Sequence, residues 1–194
     1  MTKQPHQQKQ EEKDRDRISR LLIYLNDALA MENASAERLQ GRIEETDIEE
    51  LKITLQKHLQ ETRQQQKRLE KVITNLDGKP TEEKAGLPIL TSPKSIAEDM
   101  ENKATKAEWQ LKYAEQDAII ENAEAVGYDM LIQWAIKVNV ENVIPVLMQN
   151  FKEEENMRMW LRANTPKLFA KSWPKIEEKA DASMTSGTKE SKRK

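Results

Sequence analysis

The feature that most constrains this chain is a set of four long stretches, each with one apolar stripe at helical spacing and each stripe broken by a carboxylate or an imidazole. In "LLIYLNDALAMENASAERL", Leu21 to Leu39, steps of alternately four and three residues from Ile18 give Leu22, Leu25, Leu29, Glu32, Ala36, Leu39 and Ile43. One acid therefore falls in an otherwise apolar seam. The second stretch reads Leu51, Leu55, His58, Thr62, Gln65, Leu69, Val72 and Leu76, with Glu61 three residues after His58 and so on nearly the same face. The third gives Tyr113, Asp117, Ile120, Glu124, Gly127, Leu131, Trp134 and Val138, and the fourth Val140, Ile144, Leu147, Phe151, Glu154, Arg158 and Leu161.

Helix formers dominate these stretches and β-branched runs are scarce, which predicts an all-α chain. The first helix is expected from Asp14 to Glu45, and Asp47 with Glu50 reads as a capping box opening the second. The second stops at Asp77-Gly78, where glycine can take the left-handed conformation. "DGKPTEEKAGLPILTSPK" then has three prolines and two glycines, and reads as a crossover linker. Ser92-Pro93 opens a third helix, with a break near Thr105, that runs to about Val138. Asn142, with Pro145 in the first turn, opens a fourth that ends by Asn164-Thr165-Pro166. Two helical hairpins joined by a crossover make a four-helix bundle of the ferritin-like kind, over residues 14–172 and with a short C-terminal helix. Residues 1–13 are expected to be a disordered lead-in and 173–194 a disordered basic tail. No 20 to 50 residue repeat suggests a solenoid.

Height along such a bundle follows from distance to the turns. Glu32 stands about 21 Å before the first hairpin turn, and His58 and Glu61 about 18–22 Å after it, at 1.5 Å per residue. Glu124 and Glu154 stand about 18–22 Å either side of the second turn. If the hairpins pack with matching ends, these five converge, and Glu121 can join them one turn below Glu124. Carboxylates crowded in a core must be protonated, paired with cations or bound to metal, because desolvation and mutual repulsion both oppose the charged form. Arg38 and Arg158 are the nearest candidate cations, too few for the acids. Oxygen ligands with imidazole suit iron or manganese, and a Glu from each of two helices plus Glu/His pairs at i, i+3 is the carboxylate di-metal pattern.

Other functions find little support. The net charge is −2 with both signs mixed along the helices, so there is no basic stripe for nucleic acid. No run of apolar residues is long enough to span a bilayer, and mixed charge on the polar faces argues against an amphipathic membrane helix. With no cysteine, neither a disulfide framework nor a thiolate site exists. Phosphate-binding loops and nucleophile motifs are missing too. The chain reads as a cytoplasmic protein and, as an assembly, a homodimer. Whether it is an enzyme is left open by these residues, and a metal-free bundle with a buried ion network is the competing reading.

"LNDALAMENASAERL", "LQKHLQETRQQQKRLEKV", "ENAEAVGYDMLIQWA" and "VLMQNFKEEENM" resemble the YciE/YciF family of ferritin-like proteins. In that family a Glu in the first helix, an "HLxET" block, a Glu-containing "GY" helix and a Glu-Glu block recur in this order. The resemblance implies a rubrerythrin-like bundle, iron or another divalent metal, and a link to bacterial stress responses. Carried over by position, it points to Glu32, His58, Glu61, Glu121, Glu124 and Glu154 as metal ligands. Many members resemble a Glu-His pair before "GY", whereas here Asn122 follows Glu121. A dinuclear site of iron or manganese is thus expected to have one imidazole, with its second metal weak or absent.

Overall fold

The computed structural model describes residues 5–190, with side chains from residue 8 to residue 179. Helices α1 (Pro5–Glu45), α2 (Glu49–Asn75), α3 (Lys94–Lys103), α4 (Lys106–Lys137) and α5 (Ile144–Glu190) follow one another, with a 3-10 turn at Glu141–Val143 before α5. The described residues form an all-α helical bundle without strands. Two compact units divide it. The first holds the residues up to Pro88 together with Ile120–Met157, and the second holds Ile89–Ile119 and the residues from Arg158 onward.

The first unit carries the four-helix core. Its apolar centre is built from Leu21, Leu25 and Leu29 of α1, Leu69, Val72 and Ile73 of α2, Tyr128, Leu131, Ile132 and Ala135 of α4, and Leu147 of α5. Burying such side chains contributes roughly 1.5–3 kcal/mol each, and this packing, more than propensity, holds the helices. On α2 the buried face follows the expected seam, from Leu51 through His58, Thr62 and Gln65 to Val72. On α1 it is rotated slightly: Leu21 and Ser35 are buried while Leu22 and Ala36 are only partly so. Tyr128 takes the inward place expected of Gly127 on α4, and a side chain added at Gly127 would meet nothing within 4 Å, so that glycine does not serve a close helix approach. Tyr24 is 42% exposed and stacks on Trp134 with ring centroids 4.7 Å apart.

Helix ends are set by local chemistry. The residue before α2 is Ile48, not Asp47, and its amide donates to the Thr46 hydroxyl at 3.3 Å. At the far end of α2 it is Asp77, with φ 59°, that adopts the left-handed conformation, not Gly78. Gly78 N bonds Ile73 O at 2.9 Å and Asp77 N bonds Thr74 O at 3.1 Å, the paired bonds of a Schellman motif. Gly78 is needed for room instead, since an added Cβ would lie 2.5 Å from Leu22 Cδ2. Asn139, with φ 60°, ends α4 in the same way through Val140 N to Ala135 O at 2.9 Å.

The first part of the linker lies along α1. Thr81 N donates to Asn26 Oδ1 at 2.7 Å, Asn33 Nδ2 to Glu83 O at 2.9 Å and Ala85 N to Ala30 O at 2.9 Å. Asn26 and Asn33 are two helical turns apart on one face, so both side chains reach the linker that lies along it.

In the second unit, α3 is the first part of the expected third helix, and the break falls where Thr105 opens α4. Glu108 N donates to Thr105 Oγ1 at 3.0 Å and Thr105 N to Glu108 Oε2 at 2.6 Å, a reciprocal capping box. Helix α5 continues through the expected stop at Pro166, and through Pro174, to Glu190, so the residues expected to form a short C-terminal helix are helical as its continuation. Asn164 Nδ2 and Thr165 Oγ1 bond back to Trp160 O and Leu161 O at 2.9 and 3.0 Å in the turn before Pro166. Helix α1 likewise begins at Pro5, upstream of the expected Asp14. Residues 1–4 of the expected lead-in and 191–194 of the expected tail lie outside the described residues.

Candidate metal centre

All six acids and imidazoles singled out in the sequence belong to the first unit. Glu32 is presented by α1, His58 and Glu61 by α2, Glu121 and Glu124 by α4, and Glu154 by α5. Five of them are buried; Glu61 stands at the rim with a side chain 28% exposed. Each helix places its acid inward because that position shares a stripe with leucines that must be buried, so the carboxylate is carried into the core by the packing around it.

His58 is the hub. Its Nε2 lies 2.7 Å from Glu121 Oε2 and 3.4 Å from Glu154 Oε2, and its Nδ1 lies 3.4 Å from Glu61 Oε2. One ligand atom from each of His58, Glu121 and Glu154 fits within 4.8 Å of the others, the arrangement that could hold a metal ion. Glu61 Oε1 turns outward to Lys57 Nζ at 3.2 Å.

The remaining acids have neutral partners. Ser35 Oγ donates to Glu124 Oε1 at 2.7 Å. The Tyr128 hydroxyl donates to Glu32 Oε1 and accepts from Asn150 Nδ2 at 2.9 Å. Gln65 Nε2 donates to Glu154 Oε1. Glu32 Oε2, Glu121 Oε2 and Glu154 Oε2 are buried and lack a well-aligned hydrogen bond.

Electrostatics follow from this crowding. Burial, then the charges of Glu124 and Glu154, hold Glu32 well above the usual carboxylate range against the Tyr128 hydrogen bond. Burial and Glu154 push Glu124 up to about 8, and burial and Glu121 push Glu154 up to about 8. For His58, burial pulls downward, but the Glu121 carboxylate, followed by Glu154 and Glu61, leaves the ring well above its ordinary value. Glu61 is lowered, first by its hydrogen bond to His58. Burial, then Glu32, keeps the Tyr128 phenol protonated well past its ordinary value. Oxygen-rich and crowded with acids whose protons a metal can displace, the group offers what a hard or borderline cation needs.

Ser35 and Asn150 were not legible as part of this group. Both lie one position from the seam residues chosen by stepping, Ala36 and Phe151. The available signal was their spacing, Ser35 three residues after Glu32 and Asn150 four before Glu154.

No helix among the described residues is long and apolar enough to cross a membrane. Among solved structures, a protein from Xanthomonas campestris pv. campestris is 19% identical with a TM-score of 0.65, covering 84% of this chain and 99% of its own, a likeness of fold. The Rhodopseudomonas palustris protein YcfI, described as a candidate structural protein, is 25% identical with a TM-score of 0.61, covering 75% of this chain and 92% of its own. No curated protein sequence matches the chain. The family described as "Domain of unknown function (DUF892)" matches residues 19–173, and the chain belongs to that family.

Proposed function

We propose that this protein is a ferritin-like metal-binding protein whose bundle core takes iron or manganese and serves iron or peroxide handling during stress in the cytoplasm. The observation that carries the reading is the convergence of His58, Glu121 and Glu154 within 4.8 Å, with buried oxygens of Glu121 and Glu154 short of hydrogen bonds. Oxygen ligands with one imidazole suit ferrous or manganous ion. The stress role rests on the resemblance of the four quoted blocks to the YciE/YciF family. His58, Glu121 and Glu154 would hold the ion, and Glu61, bonded to His58 Nδ1, would fix the ring's orientation from the rim. A bound iron would supply one-electron chemistry in a water-excluded core, and manganese a Lewis acid.

The competing reading, a metal-free structural bundle, draws on the description of YcfI and on the contacts His58 already makes with three carboxylates. Elemental analysis of protein purified without chelator, followed by melts with chelator and with ferrous (anaerobic) or manganous ion, separates the two. Ligand at one hundred times Kd should stabilise the native state by about 2.7 kcal/mol. Protein that carries no metal and melts at one temperature in every condition is the metal-free bundle.

A further inference from the structure

We propose that Gln65 is a positioning residue that tunes the core for small divalent cations: by holding Glu154 at Oε1, it leaves Oε2 as the one oxygen of that acid offered beside His58 and Glu121. The inference rests on the metal reading above and names the residue that sets which ions the site prefers.

Packing alone gives no reason for a glutamine at this place. Gln65 lies on the buried stripe of α2 between Thr62 and Leu69 and is 0% exposed. A leucine there would continue the apolar face, would lose less rotamer freedom and would bring no amide to desolvate. Of the two polar ends of the amide, Nε2 donates to Glu154 Oε1, while Oε1 is buried without a hydrogen bond. A buried acceptor left unmet works against folding. What the side chain supplies in return is its hold on Glu154.

Glu154, on α5, is thereby strung between two residues of α2. Its Oε2 lies 3.4 Å from His58 Nε2, and its Oε1 accepts from the Gln65 amide. Gln65 follows His58 by seven residues, or about 10.5 Å of helical rise, and helical side chains lean toward the N-terminus, so a long amide reaches back toward the level of the ring. Glu121 Oε2 meets the same His58 nitrogen at 2.7 Å. One oxygen from each acid therefore faces the imidazole, and these ligand atoms lie within 4.8 Å of one another.

That orientation bears on selectivity. A carboxylate can bind a cation through one oxygen or both. Calcium, which gathers about six to eight oxygens at about 2.3–2.6 Å, gains from the second oxygen, whereas smaller ions that accept imidazole need one that is well aimed. With Oε1 engaged by a buried amide, Glu154 serves as a single-oxygen ligand.

The test is the ratio of manganous to calcium affinity in full-length, chelator-stripped protein, from equilibrium dialysis with elemental analysis and from competition read by the manganese electron paramagnetic resonance signal. Gln65→Met keeps the volume and removes the donor; Gln65→Asn keeps an amide but draws it back by one methylene. Circular dichroism reports that each variant is folded. In both, manganese affinity should fall about 10–100-fold, the usual loss when a group that orients a ligand is removed, while calcium affinity holds or rises, so the ratio falls at least about tenfold. A wild-type ratio in either folded variant overturns the inference and leaves the metal reading intact. So does an equal fall for both ions, which is the mark of a packing role. Wild-type protein that binds neither ion overturns the metal reading itself, and with it this inference.

Discussion

Replacing His58 by alanine removes the one ring that touches three carboxylates at once. In the metal-free protein His58, 2% exposed, supplies positive charge to Glu121 at 2.7 Å and to Glu154 and Glu61 at 3.4 Å. Removing one partner of a buried charge pair costs about 3–5 kcal/mol, the lower figure applying as the neighbouring acids take up protons. At about 2–4 °C per kcal/mol for a chain of this size, the metal-free variant should melt roughly 6–20 °C below the wild type at neutral pH. Helical content should be unchanged, because alanine favours helix. The metal arm is independent of that loss. Wild type at one hundred times Kd of manganous ion should gain about 2.7 kcal/mol, or about 5–11 °C, while the variant should gain almost nothing. Differential scanning fluorimetry in chelator and in a manganese series gives both numbers, with circular dichroism reporting the fold. Equal gains in the two proteins would refute the placement of His58 at the metal, and an unchanged metal-free melt would refute its role as the counter-charge of the acids.

Two other outcomes follow from the same structure. Glu32, Glu124 and Glu154 are raised in the native state, so the stability their protonation contributes is full below the unfolded value near 4.5 and is lost as pH climbs toward about 8. His58, raised above 6.5, adds the same sign, and Glu61, lowered, opposes it weakly from the rim. Metal-free protein should therefore melt higher at pH 5 than at pH 8, whereas metal, which displaces these protons, should bind better at pH 8; a flat or rising metal-free melt would contradict the burial of these acids. At the end of α2, Asp77→Gly should stabilise by about 0.5–1 kcal/mol because a left-handed residue loses its Cβ, and Gly78→Ala should destabilise by about 1–3 kcal/mol because its Cβ would press on Leu22 and Ile73. Urea melts of the two variants check the order, and the reverse order would return the left-handed position to Gly78.

The sequence by itself determined the helices and the heights. Apolar spacing fixed four inward stripes, turn chemistry placed the ends near Glu45, Asn75, Lys137 and Ile144, and constant rise along each helix predicts the acids at a common level. What it could not fix was rotation about each helix axis. One residue is about 100° of turn, and Ser35 against Ala36, Tyr128 against Gly127 and Asn150 against Phe151 differ by one residue each. Only the packing of neighbouring helices chooses between such alternatives, because the choice depends on which side chains fill the space opposite. The same holds for the end of α2, where the close approach of Leu22 reserves Gly78 and leaves the left-handed turn to Asp77. It holds too for Pro166, read as a stop, through which α5 nonetheless continues. The partners of the acids were decided last and by tertiary structure alone. Ser35 meets Glu124 and Gln65 meets Glu154 across 89 residues of chain, Tyr128 meets Glu32 across 96, and no local pattern can specify a hydrogen bond whose two ends are set by different helices.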